Sequence, residues 1–349
     1  MSGKSVAIII LNWNGEKLFD TFLPSVIKNS KHSGVEIYVA DNGSTDNSIC
    51  HLVDRYPQVQ LIVLQKNFGF AEGYNRALKN INTSYFVLLN SDVEVTPGWL
   101  EPCIDLLESG ENIAVVQPKI LSYAKPHQFE YAGAAGGFID KFGYPFCRGR
   151  ILNRIEPDLG QYNYVSPIFW ASGACMFIKS ELFKKAGGFD GSFWAHMEEI
   201  DLCWRLKNQG YKIMYQPAST VFHLGGGTLP YSSPQKIYLN FRNNLFMLFK
   251  NLSHAQFLRI LLLRIVFDQI AAVKFLAGFY SSGFKAVINA HISFLVHLPH
   301  LMIKRRKLKK YRIVPKHPEI YPKSIMWKFY IQKRRKFSKL GFDPERLTE

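Results

Sequence analysis

The 349-residue chain carries 43 Lys and Arg against 27 Asp and Glu, a formal net charge of +16, and is 47% apolar, 14% aromatic and 20% charged. That supply of apolar side chains excludes a disordered chain. Five scattered cysteines (Cys50, Cys103, Cys147, Cys175 and Cys203), with no CxxC spacing, argue against a disulfide framework and a zinc cage and point to a reducing compartment. The opening MSGKSVAIIILNWNG has no long apolar core with a small-residue cleavage site, so no export signal is expected.

Val6 to Leu11 is apolar and β-branched throughout, the pattern of a strand buried on both faces of a parallel sheet. A helix is predicted over 17–29, a strand over 35–40, a helix with Ser44 as its N-cap, and a strand over 59–64. A helix over 73–79 and a strand over 85–89 follow. This βαβαβαβ order predicts an α/β fold with a mostly parallel sheet, whose ligands bind outside the carboxyl ends of the strands. The strand ends then bring Asn12, Asn14, Asp41, Asn90 and Asp92 to one edge.

Strand character resumes over 170–179. A helix is predicted over 197–209, with its acids in the first turn and Leu202 and Leu206 on its buried face. A strand over 212–215 leads to a loop holding His223 and Gly225 to Gly227. Residues 238–303 are apolar and helical. Within them Ala286 to Ile303 reaches the ~18 uncharged residues of a membrane span, but is interrupted by Asn289, His291, His297, Pro299 and His300. A helix on a bilayer surface is the preferred reading, with a span as the alternative.

From residue 300 to 349 sixteen Lys and Arg face four acids, so +12 of the net charge sits in the last fifty residues. The domain organisation expected is an α/β domain over 1–235 and an amphipathic, helical and basic region over 236–349. A basic region beside apolar helices predicts attachment to an anionic membrane surface. Nucleic acid is not expected as a partner, because the body of the chain has almost no excess charge and the tail shows no RNP-like or zinc-finger pattern.

No GxGxxG follows the first strand and there is no GxxxxGK phosphate loop, so phosphate would have to be held by a cation or by side chains. Asp41 suits a ribose or base, or else caps its own turn. Asp92 suits a divalent metal.

The segments LNWNG, VADNGSTDNS, NFGFAEGYN, LLNSDVEV, WASGACMFIK, MEEIDLCWRLKNQGY and VFHLGGGT, in this order over residues 5–250, resemble the family 2 glycosyltransferases of the GT-A fold. The likeness is greatest to the rhamnosyltransferase-like members that build bacterial surface polysaccharides. The resemblance implies a metal-dependent, inverting transfer of sugar from a nucleoside-diphosphate sugar to a saccharide or lipid-linked saccharide. The protein would then be cytoplasmic and peripheral at the inner face of the plasma membrane. A noncatalytic carbohydrate- or partner-binding protein on the same scaffold is the alternative.

By the same resemblance Asn12, Asn14, Asp41, Asn67, Gly69, Asn75, Asn90 and Arg242 would bind the nucleotide sugar. Asp92, His223 and Glu94 would bind Mn or Mg. The family's DxD motif falls on Asn90-Ser91-Asp92, its first acid replaced by an amide. Its catalytic ED motif falls on Glu198-Glu199, so Glu199 is the candidate base, with Glu198 and Asp201 beside it. Trp170 would wall the acceptor sugar, or else belong to the core.

Overall fold

The structure, a computed structural model, describes residues 5–225, 233–314 and 316–343. The first elements are β1 (Val6–Asn12), α1 (Glu16–Asn29), β2 (Val35–Asp41), α2 (Ser48–Arg55), β3 (Gln60–Val63), α3 (Gly69–Leu78) and β4 (Tyr85–Asn90). The buried side chains Phe19, Phe22, Leu23 and Val26 of α1 recur at helical spacing and face the sheet. Two helix starts depart from expectation. Helix α2 opens at Ser48 rather than after Ser44, because Ser44 is held in the preceding turn, its Oγ accepting from Asn12 Nδ2 and the Asn14 amide. Helix α3 opens four residues early, where Asn67 Oδ1 accepts from the Gly69 amide at 2.8 Å.

The chain continues through β5 (Val93–Val95), α4 (Glu101–Glu108), β6 (Ile113–Ser122), β7 (Gly137–Asp140), β8 (Pro145–Cys147), β9 (Arg150–Ile151), β10 (Arg154–Ile155), β11 (Ser166–Ile168), β12 (Cys175–Lys179) and α5 (Ser180–Lys185). Then come α6 (Glu198–Asn208), β13 (Lys212–His223), α7 (Pro234–Asn251), α8 (His254–Ala277), α9 (Ser281–Lys309), β14 (Ile320–Tyr321) and α10 (Ile325–Tyr330).

The main sheet runs β11-β13-β6-β12-β4-β1-β2-β3, with β5 also paired to β13. The β4-β1-β2-β3 half is parallel, and β12 runs antiparallel between β4 and β6. Asn12 sits opposite Asp41 and Leu11 opposite Asn90, so the polar ends of three strands are level along one edge. Two apolar clusters cover the faces, one around Ile8, Val87 and Trp99, the other around Tyr74, Phe177's neighbour Met176, and Trp204.

A second sheet, β10-β9-β8-β7-β14, is built mostly from residues 137–155, a stretch whose short strands the periodicity of the sequence does not announce. The C-terminal residues close onto it. Strand β14 pairs with β7 through Ile320 and Ile139, and the Ile325 amide donates to Asp140 Oδ2 at 2.9 Å. Phe337 packs among Phe138, Phe146, Tyr162 and Phe342, and its amide donates to Glu156 Oε1 at 2.8 Å. Helices α7 and α9 pack together through Phe246 and Phe249 against Phe294.

The basic stretch is therefore no free tail over its described part, and several of its cations are spent inside the protein. Lys304 reaches Asp190, Arg305 the Phe249 carbonyl, and Arg312 the carbonyls of Asn251 and Leu252. Residues 344–349 lie outside the described residues. Removing the Phe337 ring should leave a cavity in this aromatic cluster and cost about 3–5 kcal/mol. Phe337→Ala is expected to melt several degrees below the parent in a thermal scan; an unchanged midpoint would mean that the C-terminal segment is dispensable to the fold.

Candidate active site

At the level edge of the sheet, Asn12 is fully buried and donates from Nδ2 to Asp41 Oδ1 at 3.0 Å. The second Asp41 oxygen accepts from the Ser44 amide at 2.9 Å. Asp41 is thus a turn cap, with one lone-pair direction left on each oxygen. Asn14, at φ +54°, accepts on Oδ1 from the Thr45 amide at 2.7 Å, which pins the β1 and β2 loops together.

The Asn67 to Gly69 segment is held by Asn42, whose Oδ1 accepts from the Phe68 amide at 3.0 Å and whose Nδ2 donates to the Gly69 carbonyl at 3.0 Å. Gly69 has φ +78°, and a Cβ there would lie 2.7 Å from Trp194. Only glycine lets the α3 loop touch the Trp194 turn. Asn75 stands apart from this edge: its amide exchanges two hydrogen bonds with the Phe189 backbone, at 2.8 and 2.9 Å. Its function in this structure is to fix the loop before α6.

Beyond β4 the chain turns so that Asp92 meets His223. His223 is the last residue of β13 rather than a loop residue, because β5 and β6 flank and extend that strand, pairing His223 with Val93 and Ser122. His223 Nε2 lies 3.1 Å from Asp92 Oδ1 and 3.4 Å from Asn90 Nδ2. Its Nδ1 lies 3.3 Å from Glu130 Oε2 without the alignment of a hydrogen bond. Burial pushes the imidazole toward neutrality, but the close carboxylates of Asp92 and Glu130 outweigh it and hold the pKa up at about 10. Burial opposes ionisation of Asp92 too, yet His223 brings it below the usual carboxylate range.

Two buried carboxylates on one imidazole leave a surplus of negative charge that a dication would compensate. Asp92 and His223 Nε2 offer a mixed oxygen and nitrogen pair, and Glu130 is placed to orient the ring from its far nitrogen. These residues fit a divalent cation that draws its remaining ligands from phosphate and water. Glu94 lies on β5 opposite Phe222, and among the described residues no grouping of three His, Cys, Asp or Glu side chains forms that could hold an ion by itself. Glu130 escaped the sequence reading, since it belongs to no motif and meets His223 only through the fold.

Helix α6 supplies the second cluster. The turn before it holds Trp194, His196 and Met197 at φ +66°, +70° and +72°, a conformation costing of order 1–3 kcal/mol per residue. Asn243 on α7 clamps this turn, its Nδ2 donating to the carbonyls of Phe193, Ala195 and His196 at 2.9, 2.8 and 2.7 Å. Arg242 donates from Nη2 to the Ser192 and Phe193 carbonyls at 3.1 and 2.9 Å. The expected place of Arg242 at a diphosphate is thereby corrected, because its guanidinium is spent on the backbone of the turn.

Asp201 is likewise corrected as a candidate base. It is fully buried, and its oxygens accept from Arg205 Nε at 2.8 Å, Lys250 Nζ at 2.9 Å and Asn251 Nδ2 at 2.8 Å. No oxygen is left open to an acceptor. Trp170 belongs to the core: it is 4% exposed, donates from Nε1 to the Phe138 carbonyl at 2.9 Å, and lies so close to Gly137 that a Cβ there would fall 2.1 Å from its ring.

Glu198 and Glu199 remain. Glu199 is half-buried as a residue, but its Oε2 and that of Glu198 are closed to solvent and unpartnered. Burial first, and then repulsion from Glu199 and Asp201, pushes Glu198 well above the ordinary carboxylate range. Burial also pushes Glu199 up, to about 7, against the pull of backbone amides around the helix start. In the turn before α6, His196 is driven down to about 4 by burial and by Lys236, and Lys236 in turn feels the charge of Glu130.

A cation-ready Asp92 and His223 pair, together with a carboxyl whose pKa is lifted by burial, suits displacement of a phosphate ester by a hydroxyl. The sequence model described as Glycosyl transferase family 2 matches residues 7–187, more than half of the chain.

The chain belongs to glycosyl transferase family 2.

Among the relatives of this family 2 chain, it is 27% identical over 212 residues to an N-acetylglucosaminyl-diphospho-decaprenol L-rhamnosyltransferase of Mycobacterium tuberculosis, covering 54% of this chain and 66% of that one. It is 24% identical over 246 residues to the low-salt glycan biosynthesis hexosyltransferase Agl10 of Haloferax volcanii, covering 68% and 73%. Two solved structures share the fold: GalNAc-T7 with UDP, GalNAc and Mn2+ (TM-score 0.55, 17% identity, 70% of this chain and 47% of that) and the mannosyltransferase PcManGT of Pyrobaculum calidifontis with GDP-Man and Mn2+ (0.52, 14%, 89% and 87%). The expected GT-A fold and rhamnosyltransferase-like membership hold.

The raised Glu199 pKa carries a sign for stability. The unfolded carboxyl ionises near 4.5 and the folded one near 7, so folding loses stability as pH rises between them. Glu199→Gln is expected to raise stability by about 1–3 kcal/mol above pH ~7 and to change it little below pH ~4. Melting curves across pH check this; a gain that is equal at both ends would show that the carboxyl is not held against its charge.

Proposed function

We propose that this enzyme moves a sugar from a nucleoside-diphosphate sugar to a hydroxyl of a lipid-linked saccharide, with inversion at the anomeric carbon. The reaction would serve surface polysaccharide synthesis at the cytoplasmic face of the membrane. The observations that support this reading are the Asp92 and His223 pair, 3.1 Å apart, and the Glu199 carboxyl at the start of α6, lifted by burial to a pKa of about 7. The lipid-linked acceptor is suggested by the name of the mycobacterial relative, and the nucleotide donor and Mn2+ by the two structural neighbours.

Asp92 and His223 would hold a divalent cation, Mn or Mg. Bound there, the cation supplies charge compensation for the departing diphosphate. Asn14, Asp41 and the Asn67 to Gly69 loop form the wall in which the nucleoside would lie, and Asn90 faces the same edge. The Glu199 carboxylate accepts the proton of the acceptor hydroxyl while that oxygen bonds to the anomeric carbon and the bond from this carbon to the diphosphate oxygen breaks. One carboxylate suffices, and no covalent sugar-enzyme step is needed. Glu198, kept protonated by burial and by its neighbour, preserves the dry surroundings that raise Glu199. Residues 1–235 would carry donor and acceptor sites, with the following helices supporting the catalytic turn.

Release of nucleoside diphosphate from a panel of nucleotide sugars, with Mn or Mg and a lipid-linked saccharide, tests the proposal. Asp92→Ala and Glu199→Gln should each lower turnover by about 100-fold or more. Full turnover in Glu199→Gln would remove it as the base. A donor that shifts the melting temperature but is never turned over would favour the noncatalytic carbohydrate-binding alternative.

A further inference from the structure

The helical hairpin of α8 and α9 presents an apolar face on which none of the described residues packs. Along α8 the exposed side chains Leu258, Leu262, Val266, Ile270 and Val273 recur every three or four residues, one continuous stripe on a 24-residue helix. Phe279, at the hairpin tip, is 99% exposed. Helix α9 adds a second patch beginning at Ile292. The opposite faces are anchored: Arg264 and His291 lie at 3.1 and 3.4 Å from the buried Asp268, and the Arg264 guanidinium sits 3.6 Å from the Tyr144 ring centroid. The stripe is thus the outward side of a hairpin fixed to the protein.

Charge selects the occupant. Between residues 254 and 310 there are ten Lys and Arg and a single acid, Asp268, which is buried. Arg259, Lys274 and Lys285 are exposed along the stripe and Arg306, Lys307, Lys309 and Lys310 beyond it. We propose that this hairpin lies in the headgroup region of an anionic bilayer, its stripe and Phe279 seated among the acyl chains and its lysines and arginines on the lipid phosphates. Helix α9 meets the length and hydropathy of a span, but crossing would break its packing on α7 and the Lys304 and Arg305 bonds to Asp190 and Phe249.

The seat also explains an open groove of about 650 Å³ between α7 and α9, lined by Gln235, Tyr238, Ser282, Lys285, Asn289 and Ser293. It runs from the bilayer face, at Ile292, to Tyr238, whose hydroxyl is 3.5 Å from the Arg242 that holds the catalytic turn. A saccharide on a membrane lipid would enter here; that extension rests on the proposed acceptor, whereas the bilayer seat does not.

Co-sedimentation of the full chain with phosphatidylcholine vesicles, with and without phosphatidylglycerol, tests the seat without any turnover. The parent is expected to bind the anionic vesicles, and Leu262→Glu, Val266→Glu and Ile270→Glu together to weaken binding about 100-fold, each removing exposed apolar surface and keeping an unchanged melting midpoint. Phe279→Glu alone, at a position that touches nothing, should weaken it less. Binding by the triple variant equal to the parent, failure of the parent to bind, or a parent dimer that the triple variant converts to a monomer would each overturn the proposal.

Discussion

The buried charge network beneath α6 is the constraint on which the site depends. Asp201 takes Arg205, Lys250 and Asn251; Lys250 also reaches Asp190 at 2.6 Å, and Lys304 closes on the other Asp190 oxygen. Arg205 spends its remaining donors on the carbonyls of Ala186 and Gly188. Burial opposes ionisation of Asp190, but Lys250 and Lys304 hold its carboxyl far below the ordinary range. Loss of any one partner would strand a charge in the interior, at about 3–5 kcal/mol. The network joins three stretches distant in sequence: α6 with the loop before it, helix α7 and helix α9.

Because these stretches are locked together, the turn at Trp194 to Met197 can be kept in a strained form. Asn243 and Arg242 hold its carbonyls from α7, and Gly69 leaves room for it from α3. The strain places the start of α6 so that Glu198 and Glu199 enter a dry pocket with two oxygens left unpartnered. Raised carboxyl pKa values follow from that burial. The C-terminal helices brace the turn before α6 and, under the proposals above, would serve the chemistry twice, by holding the candidate base and by seating the enzyme on its acceptor's membrane.

The parallel half of the sheet was legible in the sequence because its central strands β1 and β4 are buried on both faces and read as apolar runs, with the more exposed β2 and β3 spaced regularly between helical segments. The polar strand ends followed from the rule for open sheets. The second sheet was not legible: its strands are two to four residues long, below any useful period, and its partner β14 arrives from 180 residues downstream. Motif order drew attention to Asp92 and His223, which the fold brings within 3.1 Å of each other, and to Glu199 at the start of α6. Roles implied by the resemblance met a prior demand from the backbone at Arg242, spent on the turn carbonyls, and at Asn75, bonded to Phe189, while Trp170 takes the core place that was its alternative. Glu130 could be found only in three dimensions.

The central claim is that α7 sets the catalytic turn rather than merely covering it. Asn243→Ala, which frees the carbonyls of Phe193, Ala195 and His196, tests this most directly through kcat measured beside nucleoside-diphosphate affinity. A displaced turn predicts turnover lowered roughly 100-fold with nucleotide affinity unchanged. Unchanged turnover in the folded variant would contradict the account.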